Sequence, residues 1–217
     1  GNPSSVSDFA LIRYNTDGSL DTSFDSDGKV VTSAGYYQEG LSSVVVQSDG
    51  KILAAGFGGD GPGGTVDDFV LLRYNGNGSL DTGFGGNGIV VTDFSGMPDI
   101  ANAIAVQQDG KIIVAGSTNN DFAVVRYRTD GSLDDGFGVG GKVTTGLPSG
   151  YARSIVIQAD GKILVAGESW SSNATGYDFA IIRLNGDGTP DTGFGANGIV
   201  RTAVSSYTDG ACSISLQ

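Results

Sequence analysis

The chain has 217 residues, including 37 Gly, 5 Pro and 1 Cys, with no His and a formal charge of −12. The negative charge excludes nucleic acid and anionic membranes as electrostatic partners, and the single thiol excludes an intrachain disulfide. Without imidazole there is no His-based triad, general base or metal site, and no apolar run is long enough to span a membrane as a helix.

The acids are almost all Asp, a turn residue; only Glu39 and Glu168 are Glu. That bias predicts strands and loops rather than helices. The opening "GNPSS" reads as the start of a processed or excised piece. "DFALIRY" from Asp8 then predicts a strand. It is followed by a Gly- and Asp-rich loop, Asn15 to Gly28, and by a second strand, "KVVT". "SVVVQSDGKILAAG" from Ser43 predicts two strands joined at an Asp-Gly hairpin turn.

From that point the chain repeats itself. "DFALIRY" recurs as "DFVLLRY" at Asp68, "DFAVVRY" at Asp121 and "DFAIIRL" at Asp178, spaced 60, 53 and 57 residues apart. The hairpin string recurs as "AIAVQQDGKIIVAG" from Ala103 and "SIVIQADGKILVAG" from Ser154, and begins again as "SISLQ" at Ser213. Each full unit therefore holds four strands in antiparallel order. Their apolar flanks on both faces predict sheets stacked between sheets. The expected fold is all-β, a β-propeller-type array of four-stranded antiparallel blades in a single domain, residues 1–217. The units are 8–33, 42–92, 102–145, 152–202 and 211–217. The closing blade is incomplete, because the first unit supplies two strands and the last supplies one. Cys212 would lie in that last strand as a small apolar residue.

The strings "DGKILVAG", "DFAIIRLN" and "DGSLDTGFG…GKVTT" resemble the delta-60 repeat family of bacterial secreted and surface proteins. The resemblance spans nearly the whole chain. It implies a propeller-like layout and an extracellular setting, secreted or at the cell surface, and it implies no reaction.

Within each unit the same polar residues recur. Arg13, Arg73, Arg126 and Arg183 fall in the DF strands, and Asp21, Asp81, Asp134 and Asp191 in the loops that follow. An Arg on an apolar sheet face needs a partner, so one structural Arg–Asp brace per blade is expected. Phe24, Phe84, Phe137 and Phe194 follow each Asp by three residues and would plug the loop. "NTDGSLD" and "NGDGTPD" share some features with a calcium loop, but they lack the terminal Glu and are satisfied as Asx turns, so no metal or cofactor is expected.

Recognition should sit where the units differ. The links between the second and third strands and between successive units vary, and in a meander both emerge on one side. They hold Tyr36, Tyr37, Tyr151, Trp170, Tyr177 and Tyr207, a candidate surface for a glycan or protein ligand. They also hold Glu39, Asp60, Asp67, Asp93, Asp99 and Glu168, which keep open a carboxylate-based carbohydrate-active enzyme. The favoured expectation is a non-catalytic extracellular module for binding, adhesion or assembly. The incomplete closing blade reads first as the mark of a fragment of a longer repeat array, with homo-oligomers or fibres formed by strand sharing as the rival reading.

Overall fold

In the computed structural model, the described residues are 7–36, 38–59, 67–94, 96–119, 121–147, 149–171, 176–205 and 207–217. Among them there are strands and turns and no helix. No helix is therefore long and apolar enough to cross a membrane.

The strands are β1 (Phe9–Ile12), β2 (Lys29–Thr32), β3 (Gln38–Val46), β4 (Ile52–Gly59), β5 (Asp67–Tyr74), β6 (Ile89–Thr92) and β7 (Asp99–Val106). They continue as β8 (Ile112–Thr118), β9 (Asp121–Tyr127), β10 (Lys142–Thr144), β11 (Tyr151–Ile157), β12 (Ile163–Ser171), β13 (Gly176–Leu184) and β14 (Ile199–Thr202). They form a two-stranded sheet, β1-β2, and three four-stranded sheets, β3-β4-β5-β6, β7-β8-β9-β10 and β11-β12-β13-β14. Each is an antiparallel meander with neighbours in sequence paired in space, which is the construction of a propeller blade. The chain divides into two compact units, residues 1–100 and 101–217.

Two glycines fix the register. Strands β3 and β11 shift by one residue between Leu41 and Ser43 and between Ala152 and Ser154, opposite Gly56 and Gly167. A Cβ at Gly56 would collide with the Gly40 carbonyl, and one at Gly167 with the Tyr151 carbonyl. The Gly that closes each "KIL-x-AG" string is thus there for close backbone approach at a bulge.

Within each unit a core lies between its two sheets. In the first unit Phe9, Phe24 and Val30 pack against Ile52, Ala54, Val70, Leu72 and Tyr74. Tyr74 also donates its hydroxyl to Thr32 Oγ1 across that gap at 2.9 Å. In the second unit Phe122, Val124 and Phe137 pack against Ile163, Val165, Ala180, Ile182 and Leu184.

Two expectations need correction. Residues 211–217 form no strand. Instead Ala211 N–H donates to the Gly167 carbonyl at 3.2 Å, and Ile214 N–H to Ser154 Oγ at 3.3 Å. The segment leans on β11 and β12 without a full ladder, and Cys212 is exposed. Second, the link Glu168 to Tyr177 is mostly strand, because β12 runs to Ser171 and β13 starts at Gly176. The ladder between β12 and β13 continues to the Ser171–Gly176 pair, and residues 172–175 lie outside the described residues.

Candidate functional site

The repeated polar residues meet in every unit. Arg13, Arg73, Arg126 and Arg183 each donate Nε–H to the Oδ2 of Asp21, Asp81, Asp134 and Asp191, at 2.7–2.8 Å. Each guanidinium also lies over the Phe ring of its own loop, 4.3–4.7 Å from the centroids of Phe24, Phe84, Phe137 and Phe194. The cation is therefore held between a carboxylate and an aromatic face. The Phe rings do more than close their own loops: Phe24 and Phe137 belong to the cores shared with the following sheet.

Rivets join the blades at the same place. Arg13 Nη1 donates to the Gly76 carbonyl and Arg126 Nη1 to the Gly186 carbonyl, each in the next sheet's loop. Alongside, Asp25 N–H donates to the Asn77 carbonyl and Gly138 N–H to the Asp187 carbonyl, both at 2.8 Å.

A second cation joins three of the four braces. Lys51, Lys111 and Lys162 reach Asp81, Asp134 and Asp191 at 2.8, 3.1 and 2.9 Å. The signal was present in the sequence, since each is the Lys of a "DGK" turn at a constant position. Lys162 is the main cause of the Asp191 pKa falling to about 2, helped by the Gly193 N–H and Arg183 against the opposing effect of burial. Lys51 leads in the same way at Asp81. At Asp134 burial is the largest influence and pushes upward, but Lys111, the Gly136 N–H and Arg126 together hold the carboxyl below its ordinary value.

The Asp/Asn-Gly turns use their oxygens internally. Asp17, Asn77, Asp130 and Asp187 each accept from the backbone N–H and the hydroxyl of the residue two positions on, at 2.6–3.1 Å. Asn77 does this as well as the three Asp, so the geometry is that of an Asx turn.

The variable-loop carboxylates mostly hold backbone. Glu39 accepts from Ala34 and Tyr36 N–H at 2.8 and 3.0 Å, Asp99 from Phe94 N–H at 2.6 Å, and Asp209 from Val204 and Ser205 N–H at 3.0 and 2.8 Å. In the remaining unit the matching position is Gly150, and Asp121 does the same work for Gly146 and Leu147 N–H at 2.7 and 2.9 Å. Asp93 caps Gly96 N–H at 2.5 Å. Asp68, Asp93 and Asp99 bring a carboxylate oxygen each within 4.8 Å of one another, the one such acidic group among the described residues. Burial raises the Asp67 carboxyl. Asp60 lies outside the described residues.

The aromatic candidates separate. Tyr36 packs against the first unit's core, and Tyr37 lies outside the described residues. Tyr151, Trp170 and Tyr177 come together on one face of the last sheet. Trp170 pairs directly with Tyr177 across the ladder, with ring centroids 5.4 Å apart and nearly perpendicular at 79°, while Tyr151 and Tyr177 are 5.9 Å apart. Trp170 remains 47% exposed. Burial, and then the neighbouring Tyr177, pushes the Tyr151 phenol above its ordinary value. At the margin Arg153 pairs with Glu168 at 2.7 Å and lies 5.8 Å from the Tyr151 centroid. Residues 207–210 lie beside them, tied by Asp209 N–H to the Tyr177 carbonyl at 2.6 Å, and Tyr207 is exposed.

Repeated antiparallel meanders, clamped by Arg–Asp–Phe braces and riveted in pairs within each unit, define a β-propeller-type repeat protein. The chain belongs to the family described as "Domain of unknown function (DUF5122) beta-propeller", whose model matches residues 1–24, 47–84, 107–137 and 158–194. The matched segments hold all four Arg–Asp braces; Trp170 and Tyr177 fall inside the last of them, whereas Tyr36, Tyr151 and Tyr207 fall outside. Among solved structures, the chain is similar to a protein of unknown function from Bacteroides caccae, at 12% identity and a TM-score of 0.31, over 75% of this chain and 68% of that one. No curated protein matches the chain.

Proposed function

We propose that this is a non-catalytic binding module that works outside the cell, at the surface or secreted. Its ligand contact is the Tyr151–Trp170–Tyr177 cluster. The observation that carries this reading is a Trp left half-exposed on a sheet face, edge-on to Tyr177 and on the same face as Tyr151. Exposed Trp and Tyr offer flat apolar area with polar tips, which suits the C–H faces of a sugar ring. The adjoining Arg153–Glu168 pair offers donors and acceptors for hydroxyls. A neutral glycan is the ligand class these groups favour, with a protein loop as the other outcome of the test. The extracellular setting rests on the likeness of the repeats to delta-60 units.

The test is glycan-array binding by the chain and by Trp170→Ala. Loss of one stacking platform should weaken binding about tenfold; an unchanged binding profile would remove the cluster as the site. The second reading is a carboxylate-based carbohydrate-active enzyme, favoured by the proximity of Asp68, Asp93 and Asp99. It is weaker because Asp93 and Asp99 already cap the backbone of Gly96 and Phe94.

A further inference from the structure

The "DGK" hairpins carry a side chain that the fold leaves without a task. The Gln that ends each first strand recurs as Gln47, Gln107 and Gln158. Its main chain closes the turn. Gln107 N–H donates to the Lys111 carbonyl at 2.8 Å, and Gly110 N–H donates to the Gln107 carbonyl at 2.9 Å; Gln158 pairs in the same way with Lys162 and Gly161. Any residue but Pro would serve there. The carboxamides take no part: the Oε1 atoms of Gln47, Gln107 and Gln158 are all buried without a hydrogen-bond partner. An amide oxygen withdrawn from water and left unpaired carries a cost that a Leu or Met of similar length avoids, and the chain repeats it three times.

In the second unit two of these Gln meet. A cleft of about 330 Å³ lies between the β7–β8 turn and the β11–β12 turn. Val106, Gln107 and Asp109 line it from the first hairpin, and Ile157, Gln158 and Gly161 from the second. Val106 and Ile157 are half-buried and set an apolar patch beside the two carboxamides. The volume lies at the lower end of ligand pockets, about 300–1,000 Å³, which suits a small molecule rather than a polypeptide.

Charge around the cleft balances. Lys111 lies 3.6 Å from Asp109 and 3.1 Å from Asp134, Lys162 lies 2.9 Å from Asp191, and Arg126 and Arg183 hold the same two brace carboxylates. With Asp160, which accepts from Lys162 N–H at 3.2 Å, four acids meet four cations. A charged ligand would find no excess of the opposite sign. A hydroxyl both donates and accepts, and so does a carboxamide, whose broad terminal torsion turns either atom toward a partner. The C–H groups of a ring would rest on Val106 and Ile157.

We propose that this cleft binds a small neutral polyol, a sugar of one or two rings, held by the carboxamides of Gln107 and Gln158. It is a second site and does not rest on the aromatic cluster. Gly161 precedes β12 and Trp170 lies near its far end, about 30 Å away at ~3.3 Å per residue.

Titration of the isotope-labelled chain with sugars, followed by nuclear magnetic resonance, tests this. The panel is glucose, galactose, mannose, N-acetylglucosamine, inositol, maltose and cellobiose, with glucosamine and glucuronate as charged controls. At least one neutral member should shift the side-chain amide signals of Gln107 and Gln158 together and saturably. Gln107→Leu and Gln158→Leu keep the apolar stem and lose the carboxamide, so each should weaken that binding about tenfold. Ala159→Trp, at an exposed turn position that lines the cleft, should abolish binding by filling it, and it serves if a Gln variant fails to fold. On Trp170→Ala the titration should be unchanged, so failure of this site and failure of the aromatic site are read separately. No saturable shift from any neutral member, a shift that the folded Leu and Trp variants retain, or preference for a charged control would overturn the proposal.

Discussion

Phe137 and Phe194 occupy the same position in successive units but differ in what covers them, which allows burial to be tested within one motif. Phe137 is 0% exposed, lies in the core shared by two sheets and has Arg126 4.7 Å above its centroid. Truncation to Ala removes a fully buried ring and leaves a cavity, a cost of about 3–5 kcal/mol. Loss of the cation–π contact is included in that range, at about 1 kcal/mol. Phe194 keeps its Arg183 at 4.4 Å but is only half-buried, so Phe194→Ala should cost about 1–2 kcal/mol, in line with the smaller apolar area withdrawn from water. Urea unfolding in dilute solution, followed by circular dichroism and by the fluorescence of the single Trp, Trp170, reports on both variants. Equal losses, or a larger loss at Phe194, would refute the claim that the shared core rather than the Arg–Phe stack stabilises these loops.

Acid should loosen the same loops. The Asp81, Asp134 and Asp191 carboxyls are held below 3.8, Asp191 at about 2. A folded-state pKa below the unfolded value gives a contribution that is complete above the unfolded pKa and is lost as pH falls through the folded one. The urea midpoint should therefore decline between about pH 4 and about pH 2, and Lys162→Met should shrink that decline; a midpoint that holds steady or rises over this range would contradict the brace. At the bulge, Gly167→Ala drives a Cβ into the Tyr151 carbonyl and should cost several kcal/mol, roughly 3 or more. Gly161→Ala meets open space and suffers only from its φ of +81°, a cost of about 1–2 kcal/mol. Thermal melts of the two variants should fall in that order, and the reverse order would remove the steric account of the bulge glycine.

The repetition made the fold legible before any coordinates. Four copies of the DF string and three of the DGK hairpin specify strand order, turn type and an antiparallel meander, because each copy checks the others. The Arg–Asp brace was legible for the same reason, from an Arg on an apolar face and an Asp at a constant offset. Lys51, Lys111 and Lys162 were equally visible but were absorbed into the hairpin turn, where a Lys after Gly looks like ordinary solvated surface. The aromatic cluster was only half legible. Composition puts six aromatics in the variable segments, but which of them meet depends on ladder register: Trp170 faces Tyr177 because β12 and β13 stay paired to Ser171 and Gly176. Tyr36 was misplaced because a tyrosine next to a loop glycine gives no sign that its ring will turn onto the core.

The variable links diverge in sequence while conserving a job, and this bears on whether they hold an active site. Glu39, Asp99 and Asp209 each gather the N–H groups of the preceding link. Where the third unit has Gly150 in that position, a Cβ would press on the Phe122 ring, and Asp121 supplies the carboxylate from the neighbouring strand. Losing the acid at one position is matched by recruiting another, which is the behaviour expected of a structural cap. A catalytic carboxylate is tied to one reacting centre and could not be moved to a different strand without losing its geometry. Three of the six acids that kept an enzyme in contention, Glu39, Asp93 and Asp99, are thus accounted for by backbone donors, and the half-exposed Trp170 and exposed Tyr207 are aromatics of the variable side that fill no core.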